Sequence, residues 1–176
     1  MASPTWELLL LRHGIAEERS PDRHDAEREL TAAGRTRTRA VLERAAGLGL
    51  RADRLLSSPL IRARQTGDLA CEAGLARTLE LAQALEPGGD PLPLLPAWLT
   101  RVEGGAAAPC RLLLVGHEPD LGLLGSRLLG APPGAIALRK AGLALLRLSA
   151  GPVGAPLAGT ARLEWLVGPR LWLPRP

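Results

Sequence analysis

The chain has 176 residues, of which 46% are hydrophobic and 23% charged, a composition typical of one globular domain spanning residues 1–176. No apolar run is long enough to cross a bilayer, and the short polar start is not typical of a signal peptide, so we expect a cytoplasmic protein without a membrane partner. The net charge of +4 comes almost entirely from arginines scattered along the chain, and Phe and Tyr are absent. This pattern disfavours nucleic-acid binding and suits a small anionic substrate.

Two cysteines, Cys71 and Cys110, lie far apart in the sequence. Their separation indicates neither a disulfide framework nor a metal site, and no His/Cys/Asp group has ligand spacing. We expect two buried thiols and no bound metal or cofactor. The sequence leaves the oligomeric state open.

The chain begins with a strand, a polar loop and a helix. Residues 6–11 form a continuous apolar run that ends before Gly14, typical of a strand buried on both faces. Residues 17–29 are polar and predict a loop, which leaves His24 exposed. A helix is predicted from Thr31 onward. Its apolar stripe consists of Thr38, Val41, Leu42, Ala45 and Leu48.

The same alternation continues toward the middle of the chain. A short strand is predicted over 53–58, followed by a helix that has Pro59 early in it and ends near Gly74. Residues 77–81 predict another short strand. After a turn-rich loop over 86–91, residues 92–105 predict a helix.

The second half repeats the opening design. Residues 111–115 form an apolar strand that runs into Gly116-His117, and a helix over 121–129 follows. A hairpin or two strands are predicted over 135–149, and a last strand over 161–168 follows a Gly/Pro loop. Strands that alternate with helices predict a three-layer α/β/α sandwich with a mainly parallel central sheet.

Polar residues follow three of these strands. His13 and His117 each come directly after an apolar strand, and Arg62 begins a helix just after the strand that ends in Ser57-Ser58. In an open parallel sheet, sites form beyond the carboxyl ends of the strands. Arginine forks suit a phosphoryl group, and a neutral imidazole can accept one as a nucleophile. Gly14 would allow the chain to turn so that Arg12 and His13 face one ligand.

Three segments carry a resemblance to a known family: "LLRHGIAE" (10–17), "SSPLIRARQT" (57–66) and "LLVGHEPDLG" (113–122). They resemble the histidine phosphatase superfamily, whose fold is that of phosphoglycerate mutase, and are most similar to its short SixA-type branch of phosphohistidine phosphatases. The resemblance covers about residues 7 to 150.

The resemblance implies a role for each of four residues. His13 would be the nucleophile that becomes phosphorylated, while Arg12, Arg62 and His117 would bind the phosphoryl oxygens. Water would then release the phosphate, with no metal or cofactor. The "SPLIR" spacing favours Arg62 over its neighbour Arg64, which is expected to be exposed or paired with Asp68.

The resemblance leaves the general acid open. Ester-cleaving members of the family use a carboxylic acid to protonate the leaving group, and Glu86, with Asp90 behind it, is the nearest candidate. A phosphohistidine substrate needs less of this help, because imidazole leaves a P–N bond more readily than an alkoxide leaves a P–O bond.

These observations predict a phosphatase that works through a phosphohistidine intermediate and acts on phosphohistidine in another protein. The alternatives are a phosphomonoesterase for a small phosphorylated molecule, and a phosphate- or partner-binding module without catalysis. The presence of Arg12, His13, Arg62 and His117 together disfavours the last of these. Taken singly, each histidine would more often be structural.

Overall fold

The computed structural model describes residues 6–99, 110–149 and 156–173. Strands and helices alternate along most of this length, as the apolar runs predict. The strands are β1 (Trp6–Arg12), β2 (Arg54–Ser57), β3 (Leu79–Leu81), β4 (Cys110–Gly116), β5 (Leu143–Leu148) and β6 (Ala161–Val167). The α-helices are α1 (Ala32–Gly47), α2 (Ile61–Glu72), α3 (Leu94–Leu99), α4 (Asp120–Leu129) and α5 (Pro169–Trp172).

The strands form one sheet in the order β3-β2-β4-β1-β5-β6. The neighbours among β3, β2, β4 and β1 pair in parallel, whereas β5 is antiparallel to β1 and β6 is antiparallel to β5. The carboxyl ends of β1, β2, β3 and β4 therefore meet at one edge of the sheet. Because of the antiparallel pairs, the chain entering β5 and the chain leaving β6 lie at this same edge, which we call the carboxyl edge.

Helices cover both faces of the sheet. Leu8 and Leu10 of β1 pack in one apolar cluster with residues of α3 and α4, and Leu9 and Leu11 pack in a second cluster with residues of α1 and α2. The run of leucines in β1 is thus explained by burial on both faces, as expected for a strand inside a largely parallel sheet. The predicted three-layer α/β architecture is confirmed. Among the described residues, no helix has the length and apolarity needed to cross a membrane.

Three details of the predicted elements are wrong. Pro59 precedes α2 and is not part of it, because the helix begins at Ile61 after its N-cap residue Leu60. Residues 135–142 form no strand, and only the second half of the predicted hairpin, β5, is extended. Ile136 and Leu138 alternate as in a strand, but they fill the cluster beside α4 without pairing to the sheet. Leu48 of the predicted α1 stripe is 60% exposed, because the helix has ended at Gly47.

Other expectations are met in part. Both cysteines are free, as expected, but Cys71 and Cys110 are half-buried rather than fully buried. The helix predicted over 92–105 is found as α3, and residues 100–105 lie outside the described residues. Part of the predicted Gly/Pro loop over 151–160, residues 151–155, also lies outside them.

Candidate active site

The two predicted histidines lie side by side at the carboxyl edge. Arg12 of β1 is in register with Gly116 of β4, and the His13 N–H donates to the Gly116 carbonyl at 3.0 Å. The imidazole of His13, which follows β1, therefore faces the imidazole of His117, which follows β4, and the ring centroids are 5.1 Å apart. His13 is 6% exposed and His117 is 3% exposed.

Gly14 is needed for close packing rather than for a left-handed turn. A Cβ at this position would lie 2.2 Å from Oγ1 of Thr38 on α1. The Gly14 N–H donates to Oγ1 of Thr66 at 3.1 Å, and the Thr66 hydroxyl donates to the Arg62 carbonyl one turn earlier at 2.8 Å. The end of β1 is thereby pressed against α1 and tied to α2, which fixes the direction of His13.

The hydrogen bond of His13 determines its tautomer. Nδ1 lies 2.7 Å from the Gly14 carbonyl oxygen. A carbonyl can only accept, so Nδ1 must carry the proton in this bond. In the neutral ring, Nε2 then holds an unprotonated lone pair, the form that a nucleophilic imidazole requires.

Ser58 can hold His117 in the same tautomer. Nε2 of His117 lies 2.9 Å from Oγ of Ser58, which also accepts the N–H of Leu60 at 3.3 Å. The Ser58 hydroxyl also carries a proton, which it can donate to Nε2 of His117. The proton of the neutral His117 ring is then on Nδ1, which is buried and has no partner among the described residues. It is free to donate to a ligand.

Both imidazoles are held in the neutral form. Burial, together with the facing His117, lowers the pKa of His13 to about 3. Burial and the positive charge of Arg62 lower the pKa of His117 to about 4. The charge of Arg12 acts on both rings in the same direction. The four predicted residues are therefore close enough to influence each other, and the neutral form of His13 is favoured at neutral pH.

This arrangement predicts a loss of stability in mild acid. As the pH falls through about 6.5, the histidines of the unfolded chain take up protons, whereas the folded pair stays neutral. The unfolded state then binds more protons, so the free energy of unfolding should fall by about 1–2 kcal/mol per histidine between about pH 7 and pH 5. Urea denaturation at the two pH values measures this difference. The difference between the two free energies of unfolding should be smaller in a His13→Asn, His117→Asn double variant. A wild-type protein that is equally or more stable at the lower pH would contradict the neutral pair.

Arg62 is held by a residue that the sequence did not single out. Its Nη1 donates to the Asp25 carbonyl at 2.6 Å, and its Nη2 donates to the Asp25 carboxylate at 2.9 Å. Partial burial would raise the pKa of Asp25, but hydrogen bonds from Arg28 and Arg62 hold it well below its usual range. Arg62 is only 3% exposed, and this ion pair fixes the plane of its guanidinium. The loop that precedes α1 thus has a defined function in positioning Arg62.

Arg12 is positioned through a backbone relay. The Nη1 of Arg12 donates to the Leu138 carbonyl at 2.9 Å, and the backbone N–H of Leu138 donates to Oε1 of Glu118 at 3.0 Å. Burial raises the pKa of Glu118, although the positive charge of Arg12 opposes this rise. The carboxyl group of Glu118 therefore supports the peptide that holds Arg12.

Replacing Glu118 tests this relay. In Glu118→Ala the Leu138 N–H loses its acceptor, so we expect Arg12 to move and kcat/KM to fall about tenfold, mainly through KM. Glu118→Gln keeps an acceptor oxygen and should recover most of this loss. Steady-state kinetics of both variants on a phosphoramidate and on a phosphomonoester make the comparison. Equal losses in both variants, confined to kcat on the ester, would instead indicate proton donation by Glu118.

The buried donors of the site match an anionic ligand. Nε of Arg12, Nε of Arg62 and Nδ1 of His117 are buried without a hydrogen-bond partner among the described residues. A buried donor without a partner costs about 1–3 kcal/mol, so such groups commonly serve a ligand. Two guanidinium groups and a neutral imidazole N–H are suited to the oxygens of a phosphoryl group. Within the described ranges, no three His, Cys, Asp or Glu side chains are grouped as a metal site would require.

The predicted candidates for a general acid are not joined to this site by any hydrogen bond in the described residues. Asp90 accepts the Leu92 N–H and lies 3.6 Å from Arg127, in the last turn of α4. Because α4 runs back across the sheet, this contact directs Asp90 away from the histidines. Glu86 is half-buried and makes no side-chain hydrogen bond with the described residues.

The sequence analysis did not single out three residues that position the site, namely Asp25, Thr66 and Glu118. Thr66 and Glu118 had a usable signal, since the first lies one helical turn after Arg62 and the second directly follows His117. Asp25 had none, because it is one of several acidic residues in a polar loop. Arg64, the rival of Arg62, is exposed as expected.

Comparison with known proteins agrees with this geometry. Residues 8–86 match the family described as histidine phosphatase superfamily (branch 1). An uncharacterized protein from Picosynechococcus sp. is 41% identical over 150 residues, which cover 85% of this chain and 89% of that protein.

Similarity to solved structures agrees with this family match. The protein histidine phosphatase SixA, complexed with tungstate, has a TM-score of 0.74 and 26% identity, with 94% of this chain and 98% of that chain covered. A mycobacterial glucosyl-3-phosphoglycerate phosphatase shares the fold, with a TM-score of 0.69 at 21% identity over 91% of this chain and 97% of that one. The apposed histidines, the family match and the similarity to SixA agree, and the chain belongs to the SixA-like branch of the histidine phosphatase superfamily.

Proposed function

We propose that the protein is a phosphatase that transfers a phosphoryl group to His13 and then to water, and that its substrate is phosphohistidine in another protein. The observation that carries this proposal is the tautomer of His13. Its Nδ1 is committed to the Gly14 carbonyl, and burial lowers its pKa to about 3, so Nε2 is available as a nucleophile. Membership of a phosphatase family supports the same reaction.

In the first step, Nε2 of His13 attacks phosphorus. A new P–N bond forms as the bond to the leaving group breaks, and that electron pair departs with the leaving group. Arg12, Arg62 and the Nδ1–H of His117 bind the three oxygens, where charge accumulates in the transition state. The hydrogen bond from Nδ1 of His13 to Gly14 stabilises the positive charge that develops on the ring.

In the second step, water attacks the phosphohistidine. The P–N bond breaks, its electron pair returns to Nε2, and inorganic phosphate is released. The same three donors bind the oxygens again. Because these side chains carry every step, we expect activity without a metal ion.

Phosphohistidine is favoured as the substrate because, within the described part of the chain, none of the candidate acids Glu86, Asp90 and Glu118 is hydrogen-bonded to His13 or His117. Asp90 is engaged with Arg127, and Glu118 accepts a backbone N–H. A protonated imidazole leaves a P–N bond without the strong acid help that an alkoxide needs. The similarity to SixA, described as a protein histidine phosphatase, supports this choice.

A small-molecule phosphomonoesterase is the second candidate. It is favoured by the direction of the Glu118 pKa, which burial raises, since a raised pKa makes a carboxyl group better suited to protonate an alkoxide. The shared fold of glucosyl-3-phosphoglycerate phosphatase is compatible with it but shows the fold alone.

A substrate profile separates the two candidates. The wild-type protein is assayed with a phosphohistidine-bearing protein, with phosphoramidate and with an alkyl phosphomonoester, in the presence of a chelator. We expect kcat/KM on both P–N substrates to exceed that on the ester by about 100-fold or more, because only the ester needs an acid. An ester rate equal to or above the P–N rates would favour the phosphomonoesterase. Loss of all activity on adding the chelator would contradict the metal-free steps.

A further inference from the structure

A basic cavity adjoins the proposed phosphoryl site. It has a volume of about 710 Å³ and includes Arg12 in its wall. The rest of the wall comes from Ile15 in the loop after β1, from α1, from the segment before β5, and from Gly168 together with α5. The register pairs Leu11 with Leu143, and Leu143 with Val167, so these segments meet at the carboxyl edge. The cavity and the histidines are therefore at the same end of the sheet.

The lining of this cavity is strongly cationic. Five of its nine residues are Arg or Lys, and none is acidic. The five come from distant parts of the sequence, so the scattered arginines of the chain become concentrated only on folding. The five cations are Arg12, Arg37, Arg139, Lys140 and Arg170.

These cations are not neutralised by ion pairs within the described part of the chain. The contrast within α1 is informative, because Arg39 pairs with Glu72 whereas Arg37 lines the cavity without a carboxylate. Like charges also act on each other here: burial lowers the pKa of Arg12, the charge of Glu118 opposes this shift, and the charge of Arg139 adds to it. A cleft lined by one sign of charge attracts ligands of the opposite sign.

The rim of the cavity favours a protein over a small polyanion. Arg139, Lys140 and Arg170 are exposed, and Leu171 beside them is 81% exposed, the highest value among the exposed large hydrophobic residues described. A compact polyanion would gain nothing from an exposed leucine. A protein segment can pair its carboxylates with the cations and cover the leucine, the mixture of apolar and charged contacts that is common in protein interfaces.

We propose that this cavity binds an acidic segment of the substrate protein that lies next to its phosphohistidine. Carboxylate side chains pair with Arg37, Arg139, Lys140 and Arg170, while the phosphoryl group reaches Arg12 and His13. This proposal rests on the proposed protein phosphohistidine phosphatase activity and adds a substrate preference to it.

The test uses two phosphohistidine peptides of equal length, one flanked by Glu and the other by Gln. The readout is the ratio of kcat/KM for the Glu peptide to that for the Gln peptide, because this ratio cancels any general loss of activity. At low salt we expect the wild-type ratio to be about ten or more, and to fall toward one at high salt. Removal of two charges in an Arg139→Gln, Arg170→Gln variant should reduce the ratio at least about threefold.

A matched control removes two exposed arginines elsewhere. Arg77 precedes β3 and Arg127 lies in the last turn of α4, so both are at the opposite edge of the sheet. An Arg77→Gln, Arg127→Gln variant has the same net charge as the cavity variant and should keep the wild-type ratio. Equal reductions in both variants would mean that only overall charge matters and would overturn the cavity assignment.

A binding measurement keeps the inference separate from the proposed function. Calorimetry measures the affinity of an unphosphorylated Glu-rich peptide for the wild-type protein and for the cavity variant, and we expect the variant to bind at least about threefold more weakly. If the wild type hydrolyses neither phosphopeptide, the proposed function fails, and this binding result still decides whether the cavity takes acidic segments. Equal affinity in the two proteins overturns the proposal. Binding of tripolyphosphate that needs Arg139 and Arg170, with no binding of the Glu-rich peptide, would also overturn it.

Discussion

His13→Asn is expected to abolish turnover, with kcat/KM on phosphoramidate reduced by at least about 10⁴-fold. The amide of Asn can still donate to the Gly14 carbonyl, so the end of β1 should keep its conformation. What the variant lacks is the unprotonated Nε2 that forms the bond to phosphorus in the proposed reaction. Wild-type protein quenched with alkali during turnover should carry acid-labile phosphate, and the variant should carry none.

His24→Asn is the matched control. His24 is exposed in the loop before α1, where its Nδ1 accepts the Ala26 N–H, and Asn can cap that turn in the same way. We expect the control to keep both turnover and the labelled intermediate. Acid-labile phosphate on the His13 variant, or phosphoramidate hydrolysis at the wild-type rate, would disprove the proposed nucleophile.

The strands and the histidines could be predicted because each has a local signature. A run of leucines such as 8–11 is continuous only where both faces of a strand are buried, and a histidine directly after such a strand lies at the carboxyl edge of a parallel sheet. The pairing of β1 with β4 could not be read from periodicity, because about a hundred residues separate the two strands. The order of the motifs in the family resemblance supplied that link.

The remaining features depend on tertiary contacts that leave no local pattern. Asp25 is one carboxylate among several in a charged loop, and only the folded position of α2 selects it as the partner of Arg62. For Ile136 and Leu138 a local pattern is present but misleading. Their alternation predicts a strand, whereas it results from burial of both side chains without pairing to the sheet. The basic cavity is also invisible in the sequence, because its cations are brought together by four separate segments.

Arg62→Gln is expected to lower kcat/KM about 10²–10³-fold, because the variant loses a buried, charged donor that in the proposed reaction faces the developing charge on the phosphoryl oxygens. The guanidinium is fixed by the two hydrogen bonds that it donates to Asp25, and its buried Nε has no partner among the described residues. Arg62→Lys keeps the charge but not the fork, so it should recover only part of the activity. Steady-state kinetics should show most of the loss in kcat.

Arg64→Gln is the control for charge and position. Arg64 lies two residues further along α2 and is exposed, so its removal should change kcat/KM by about twofold at most. Asp25→Asn completes the comparison, because it keeps the carbonyl contact to Arg62 while it weakens the charged one, and we expect an intermediate loss of about tenfold. If Asp25 acts only by positioning Arg62, this substitution should have little further effect in the Arg62→Gln background. Additive losses would instead mean that the loop contributes to catalysis by a route independent of Arg62.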